Sequence, residues 1–485
     1  MAEGFKKMKV LIYHWTQDDF PKRRGGGIQV YQRDILPELL KVDGVHLTVL
    51  SSGSPDLYDF LDSSTRIEQL PSDTPGLERF GLINSPLPAP AVLFFGNPLS
   101  LKHRETREIF FDFVKAHGFD VIHFNHFEGL PVEVLAIKEH LPHIKILFSM
   151  HDYYALCPQV TFLYQGRELC EDNQSRKKCQ SCFPVDPLTF SISRRRADGF
   201  SHRMIDRLGI NPRGKLAKTI QTFFQKIVLG KKQDARNVPV AEDLFGNWGQ
   251  IVELLNEHVD HVLPVSDRVR QIALRYGIRE DILRVLRLGK NEAINFRSNL
   301  PPMGPLVSDN GSLTLVYLGY MTIHKGFFFM LEAFERMPEA LSRRINLVVA
   351  AKSPSDPSVL NRLMGLRSKL KSLTHYDGYT HGQLDEILVK DSIGLLCHLW
   401  EDTAPQTAWE MHCRHIPFLT SDLGGASELS GCEKMVYRHG NVQEFTERVR
   451  MILDGEVTHN EYWTNSIVPM TIDEHCKQLV DLYRG

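Results

Sequence analysis

The sequence has no apolar run approaching the roughly 18–20 residues needed to cross a bilayer. Lys6, Lys7 and Lys9 stand near its start, but the apolar run beyond them, Val10 to Tyr13, is too short for a signal-peptide core. Both absences argue for the cytoplasm. Excess charge is missing too: 57 Lys+Arg against 59 Asp+Glu leave a net −2, so bulk charge makes no case for nucleic acid. Cysteine is sparse and unevenly spread. Four of the eight fall between Cys157 and Cys182, which argues against a secreted disulfide scaffold. No internal repeat of short period is present. What remains is an ordinary globular balance, 42% apolar and 24% charged, on a chain of 485 residues. That is too long for one core, so two or three domains are expected.

The first half alternates strands and helices. Met8 to Tyr13 reads as a buried strand, followed by a loop with Gly25, Gly26 and Gly27. Ile28, Tyr31, Ile35, Leu39 and Leu40 then recur at helical spacing, and His46 to Ser51 is the next strand. This βαβ opening suits a nucleotide-binding α/β domain, but the later glycine of a dinucleotide fingerprint is absent. The glycine loop either lets backbone approach a phosphate or sugar closely, or is a plain flexible turn. Residues 52–100 read as loop-rich. A helix over Phe110–Ala116, a strand over Asp120–Phe124, a helix over Leu130–His140 and a strand over Lys145–Met150 follow. That last strand ends in His151-Asp152, where open α/β sheets place ligands. His151 is either a ligand contact or a satisfied structural residue, and His123 and His126 are second choices. His261–Ser266 and Val269–Tyr276 supply a further strand and helix, and Pro301, Pro302, Gly304, Pro305 and Gly311 mark a domain boundary.

Cys157, Cys170, Cys179 and Cys182 include a Cys-x-x-Cys knuckle and make up a tetrahedral thiolate set. Gly166, Asp172, Asn173 and the run Arg176-Lys177-Lys178 would build no core, and a structural zinc would supply cohesion there. A redox pair, unbound thiols and an iron–sulfur cluster are the alternatives, though nothing points to electron transfer. Four thiolates leave no open metal position, so no catalysis is expected from such a site. Residues 190–250 are basic, with Arg194, Arg195, Arg196, Arg203, Arg207, Arg213, Lys215 and Lys218. Ile220, Phe223, Phe224, Ile227 and Val228 give an apolar stripe. The segment is either a solvated helical insertion or, over 190–232, a peripheral contact with anionic membrane headgroups.

The second half opens with a strand over Leu313–Leu318, then Gly319-Tyr320, Lys325-Gly326 and a helix from Phe327. A lysine on such a loop neutralises a phosphate. A strand over 345–351 and the stretch Tyr376-Asp377-Gly378-Tyr379 follow. Ile393–His398 is a strand, then a polar loop holds Asp402 and Thr403 as helix N-caps, with Pro405 at the helix start. The helix runs to about Arg414, Pro417–Ser421 is a strand, and Gly424-Gly425 turns into another helix. Seven residues separate Asp402 from Glu410. A ligand with a diphosphate and polyol ends would suit this place: amides near Gln406 and Thr407 for phosphate, carboxylates for hydroxyls. The plainer reading is a capping Asp and a surface Glu. Helical patterns over Val442–Leu453 and Ile472–Tyr483 close the chain.

Segments 400–428, 313–326 and 145–182 together resemble the retaining glycosyltransferases of family 4, which have a GT-B fold. The family's acid, seven residues and Glu correspond to Asp402 and Glu410, and its Gly-Gly-x-x-Glu turn to Gly424-Gly425-Ala426-Ser427-Glu428. Its first acid is usually Glu, and Glu401 here lies one residue too early. Lys325-Gly326 match, whereas the family's Arg is Tyr320. Some members carry His-Asp-x-x-x-x-Cys-Pro followed by three cysteines, as at His151-Asp152 and Cys157-Pro158.

The resemblance implies an α/β GT-B architecture of two Rossmann-like domains facing across a cleft. Residues 1–290 would form the acceptor domain, with a Cys-rich insertion (157–182) and a basic helical insertion (190–250). Residues 305–465 would bind the nucleotide sugar, and 466–485 would form a helix crossing back. The implied activity is retaining hexosyl transfer from a nucleotide diphosphate sugar to a hydroxyl of a glycan or lipid-linked glycan, in polysaccharide or glycoconjugate biosynthesis. It implies a cytoplasmic protein, peripheral at the inner face of the membrane, with no catalytic divalent metal. By the same resemblance Lys325 would face the leaving diphosphate, Asp402 would hold the donor sugar and Glu410 the ribose. His151 would sit by the transferred bond, and Gly26 and Gly27 would face the acceptor and diphosphate. Gly319 and Tyr320 belong to the phosphate loop, Gly378 and Tyr379 to the base site, and Gln406 and Thr407 to the phosphate amides. An inactive sugar-nucleotide-binding subunit and a sugar-nucleotide epimerase or hydrolase are the alternatives.

Overall fold

Parallel strands buried on both faces read as unbroken apolar runs, and two sets of them organise the chain. The computed structural model describes residues 7–16, 26–53, 57–59, 62–87, 100–170, 178–182, 192–211, 214–229 and 244–485. Gly25 and residues 171–177 lie outside these. The first sheet contains β1 (Met8–His14), β2 (Val45–Ser51), β3 (Arg66–Leu70), β4 (Leu77–Ile83), β5 (Val121–Phe124) and β6 (Lys145–Met150). A hairpin of β7 (Leu163–Tyr164) and β8 (Glu168–Leu169) intervenes before β9 (His261–Pro264) completes that sheet. The order is β3-β4-β2-β1-β5-β6-β9, parallel except for β3 at one edge.

The second sheet holds β10 (Leu313–Tyr320), β11 (Ile345–Lys352), β12 (Ser372–Tyr376), β13 (Ser392–Leu396), β14 (Phe418–Ser421) and β15 (Val436–Tyr437). Its order, β12-β11-β10-β13-β14-β15, is that of a doubly wound nucleotide-binding sheet, as is the order of the first sheet without β3. Strand alternation builds a core on each face of the second sheet. Leu313, Leu315 and Tyr317 join one cluster, Val316 and Leu318 the other. In each sheet the order reverses beside the first strand, so the carboxyl ends of β1, β5, β10 and β13 line crevices where ligands bind in such folds.

The last helix, Ile472–Arg484, belongs to the first lobe. Thr471 and Glu474 form a capping box, and Ile472, Cys476, Leu479, Val480 and Tyr483 recur on one buried face in the first core. Tyr31 OH meets His475 Nε2 at 2.7 Å and Tyr483 OH meets His123 Nδ1 at 2.8 Å.

Several expected elements differ. Within 52–100, read as loop-rich with short elements, those elements include the strands β3 and β4. β4 holds only a broken apolar pattern around Gly81, whose missing side chain makes room for Leu57 and Leu70. Leu130–His140 is a 3₁₀ turn over Val132–Ala136 and one helical turn over Ile137–His140, entered from Pro131. The helix expected to Arg414 stops at His412, and no α-helix follows Gly425, only turns and a 3₁₀ helix over Glu433–Met435 before β15. The basic insertion contributes helices Ile192–Arg207, Lys215–Leu229 and Leu244–His258. Leu216 and Phe223 remain exposed on the middle one. Side chains of Arg194–Arg196, and Arg213 itself, lie outside the described residues. Among the described residues, no helix is long and apolar enough to cross a membrane.

Leu479 is fully buried at the seam between the last helix and the first core. Leu479→Ala is expected to cost about 2–5 kcal/mol and lower the urea midpoint. An unchanged midpoint would show the helix to be dispensable to that core.

Candidate active site

Two loops meet because one of them carries no side chain at the crossing. Gly326, at φ 70°, starts the Phe327–Arg336 helix, and a Cβ there would overlap the Cys397 carbonyl at the end of β13. The loop after β10 therefore lies against the loop after β13, and Lys325 reaches Asp402, with Nζ 2.6 Å from Oδ2. Lys325 Nζ also lies 5.2 Å from the Trp400 ring centroid. His398 Nε2 is 3.7 Å from the same Asp402 oxygen. Burial alone would raise the Asp402 carboxyl, but Lys325 and then His398 hold it below the usual carboxylate range. Burial, aided by Lys325, pushes His398 down to about 3, so it is neutral.

The Gly424-Gly425 pair performs the same service between lobes. A Cβ on Gly424 (φ 72°) would overlap the Asp402 backbone, and one on Gly425 would overlap the Thr403 carbonyl and crowd Ser266. Gly425 N–H instead donates to the Asp402 carbonyl at 2.8 Å. Ser266 Oγ donates to the Thr403 carbonyl at 3.0 Å, and Thr403 Oγ1 to the His151 carbonyl at 2.7 Å. Thr403 and Asp402 thus do not cap the following helix, as the sequence suggested. Pro405 is its N-cap, with no side-chain cap bond. The helix, Gln406–His412, has 7 residues, so its dipole is short.

Glu401 and Glu428 clamp the lobes together. Arg268 forms a bidentate pair with Glu401, one arm at 2.9 Å. Glu428 accepts the backbone N–H groups of Asp267 and Arg268 and an N–H of Arg287 at 3.2 Å. Out of register as a sugar ligand, Glu401 is a strut.

On the first lobe's side, His151 Nε2 hydrogen-bonds Asn125 Oδ1 at 2.8 Å, and its ring lies 4.6 Å from that of Tyr31. Burial pushes its pKa down to about 3. His123 is structural, bonded to Tyr483 OH and Ser149 Oγ at 2.8 Å each. His126 pairs with Asp152 at 3.0 Å. Burial opposes its charge, but Asp152 and Glu128 outweigh that and raise it to about 9. Gly26 is the first residue of its helix, and a Cβ on Gly27 would come 3.8 Å from Gln406 Nε2.

Beyond Gln406 lies a group that sequence reasoning missed. Lys290 Nζ donates to Gln406 Oε1, and burial lowers its pKa against the pull of Glu292 and Glu410. His381 bridges Glu292 (3.0 Å) and Glu410 (3.3 Å). Glu410 Oε2 is buried with no hydrogen-bond partner, and burial raises that carboxyl. Tyr379 neighbours Glu410 and Tyr320, and its hydroxyl pKa is raised by burial and by those neighbours. Tyr320 is 68% exposed, following Gly319 at the end of β10. Gly378 (φ 86°) abuts the Lys352 side chain, and Thr407 is half-buried in the first turn of its helix. Lys290 was legible in principle. The polar stretch Gly289-Lys290-Asn291-Glu292 interrupts an apolar run at a glycine whose Cβ would strike Ile472 and Thr471.

Cys157, Cys170, Cys179 and Cys182 line one cavity of about 20 Å³. Among the described residues, the one trio of His, Cys, Asp or Glu with ligand atoms within 4.8 Å of one another is Glu139, Glu257 and His258, whose acids are exposed.

No protein-family model matches this chain, and no curated protein sequence does. Solved structures match over nearly its whole length. A sucrose-phosphate synthase from Thermosynechococcus elongatus has 14% identity and a TM-score of 0.52, covering 99% of this chain and 98% of its own. An α,α-trehalose 6-phosphate synthase from Burkholderia multivorans has 11% identity and a TM-score of 0.55, covering 99% and 96%. An E. coli trehalose-6-phosphate protein bound with UDP-2-fluoro glucose has 11% identity and a TM-score of 0.51, covering 98% and 99%. At these identities the likeness shows the fold: α/β, GT-B, two Rossmann-like domains facing across a cleft.

His123, His151 and His398 are pushed to about 3, and His412 and His475 to about 4, all by burial. Below the usual value near 6.5 the unfolded chain takes up these protons while the folded chain refuses them. Stability should therefore fall as pH drops from 6.5 toward 4, each histidine contributing up to about 1.4 kcal/mol per pH unit. Urea denaturation at pH 7 and pH 5 checks this, and equal midpoints would contradict it.

Proposed function

We propose that the chain is a retaining glycosyltransferase of the family 4 kind, moving a hexosyl group from a nucleotide diphosphate sugar to a hydroxyl. The observation that carries this reading is half-buried Lys325 paired with buried Asp402 at the strand ends, with a second half-buried lysine, Lys290, across Gln406. The named activities of the structural neighbours, and the UDP-sugar held by one of them, support it.

The chemical problem is departure of a diphosphate. Negative charge grows on the leaving oxygen, and cations already in place stabilise it without reorganisation. Lys325 is one. Tyr320 stands where a second cation was expected, and Lys290 takes over that charge. Burial lowers its pKa, and a dianion beside it would raise it again. Two lysines then do what a divalent metal does elsewhere, with the backbone near Gln406 and Thr407 and the close approach at Gly26 and Gly27 adding donors.

Asp402 is shorter than the usual Glu by one methylene and is held by Lys325. The donor's sugar hydroxyl takes over the carboxylate as Lys325 turns to phosphate. Glu410, with one oxygen unpartnered, accepts from the ribose, and Gly378 and Tyr379 border the base. His151, neutral, contacts the sugar without adding charge. The leaving phosphate accepts the acceptor's proton on the same face, so no protein nucleophile is needed. The acceptor is a glycan or lipid-linked glycan of polysaccharide or glycoconjugate biosynthesis. A lipid-linked one is met by a cytoplasmic enzyme peripheral to the membrane, through the insertion that exposes Leu216 and Phe223.

The ties of Lys325 to Asp402 and of His381 to Glu410 favour one second reading, an inactive subunit that binds a sugar nucleotide without turnover. A thermal-shift screen against UDP-, GDP-, ADP- and TDP-sugars should reveal one stabilising base, and a flat response to all would sink both readings. With an acceptor supplied, Lys325→Ala and Lys290→Ala should each cost roughly 2–4 kcal/mol of transition-state stabilisation, about 30- to 1,000-fold in turnover. Undiminished turnover in either variant removes that lysine from the mechanism. Donor binding with no turnover in the unmodified chain selects the inactive subunit.

A further inference from the structure

We propose that Cys157, Cys170, Cys179 and Cys182 bind one structural zinc ion. The proposal is independent of the transferase reading. Three separate pieces of backbone deliver these residues to the same small cavity. Cys157 closes the turn after His151, with its N–H on the Tyr153 carbonyl at 2.7 Å. Cys170 leaves the β7–β8 hairpin, its N–H on the Phe162 carbonyl at 2.7 Å. Cys179 and Cys182 lie three apart on one helical turn and so share a face.

The donors around the sulfurs indicate what they are built to carry. Gln165 N–H donates to Cys182 Sγ at 3.2 Å, and Gln159 Nε2 adds another at 3.4 Å. A neutral thiol is a weak acceptor, whereas a thiolate is a strong one. Aiming these groups is costly. Val160 (φ 65°), Phe162 (φ 52°) and Gln165 (φ 51°) all adopt the left-handed region, which non-glycine residues avoid. Such strain persists only where the surroundings over-determine it. Thiolates in this half-buried place require positive charge, and among the described residues Lys178 lines the same cavity.

A tetrahedral set of four thiolates selects zinc or iron, and the cavity decides for one ion. About 20 Å³ of free space between the four cysteines is room for one ion. Zinc–sulfur bonds near 2.3 Å put tetrahedral sulfurs about 3.8 Å apart. No three of these sulfurs stand within 4.8 Å of one another, so the ion draws them inward. The set leaves no open position, and its role is structural. It braces the loop that begins at His151 and Asp152, which Trp248 holds from the other side through a 2.8 Å bond to the Tyr154 carbonyl.

Metal analysis of the full chain, purified without a metal-affinity step, should find about one zinc per chain. Cobalt exchanged into the site should give sulfur-to-cobalt charge-transfer bands. Cys179→Ser, at a half-buried position, should lose the zinc while keeping the far-ultraviolet dichroism of the parent, and Cys432→Ser should retain it. Fewer than about half an equivalent of zinc, with the four thiols either freely reactive or joined as disulfides in intact mass, would overturn the proposal.

Discussion

Lys325 and Asp402 meet 2.6 Å apart, with Asp402 7% exposed. Taking two opposite charges out of water costs more than their attraction returns unless the geometry is good and other partners help. Here the Trp400 face covers the cation and two neutral histidines border the pair. Hydrophobic residues of the same size would hold this corner as firmly. The pair makes physical sense as a pair waiting to be exchanged. On the proposed function each member would take a new partner, phosphate for the lysine and hydroxyl for the carboxylate.

What holds the pair at the cleft is a set of close approaches that only glycine allows. Gly326 brings the β10 loop onto the end of β13, and Gly424 and Gly425 bring the acid loop onto Ser266 of the other lobe. Polar contacts then secure the closure: Arg268 on Glu401, and Glu428 on the start of the Asp267–Arg275 helix. The clamp and the site share one loop. A change in how the lobes sit moves Asp402 and Thr403 with it, and through Thr403 the His151 loop. Closure and the arrangement of the binding groups are thus mechanically one event.

Much of the architecture was legible because buried parallel strands write themselves as apolar runs. β1, β2, β5, β6, β10 and β11 are all of that kind, and the helical spacing of Ile472–Tyr483 marks a buried face. β4 and β15 were not, since the first is broken by Arg79 and Gly81 and the second has 2 residues. Site residues within one motif, such as Lys325, Asp402 and Glu410, stand out by spacing. Lys290, Glu292 and His381 do not, because separate loops of the tertiary fold bring them to Gln406 and Glu410. Glu401 and Asp402 look interchangeable in sequence, and only the position of Arg268 separates a strut from a ligand. The N-capping roles read for Asp402 and Thr403 failed because Lys325 of the same lobe takes the first and the His151 carbonyl, across the cleft, takes the second.

The most direct test is a structure of the chain with a nucleoside diphosphate bound. The account requires the diphosphate between the lobes, contacted by Nζ of both Lys325 and Lys290, with the Lys325–Asp402 contact opened. A nucleotide seated away from the two lysines, or Lys325 still locked onto Asp402 beside it, would contradict the account.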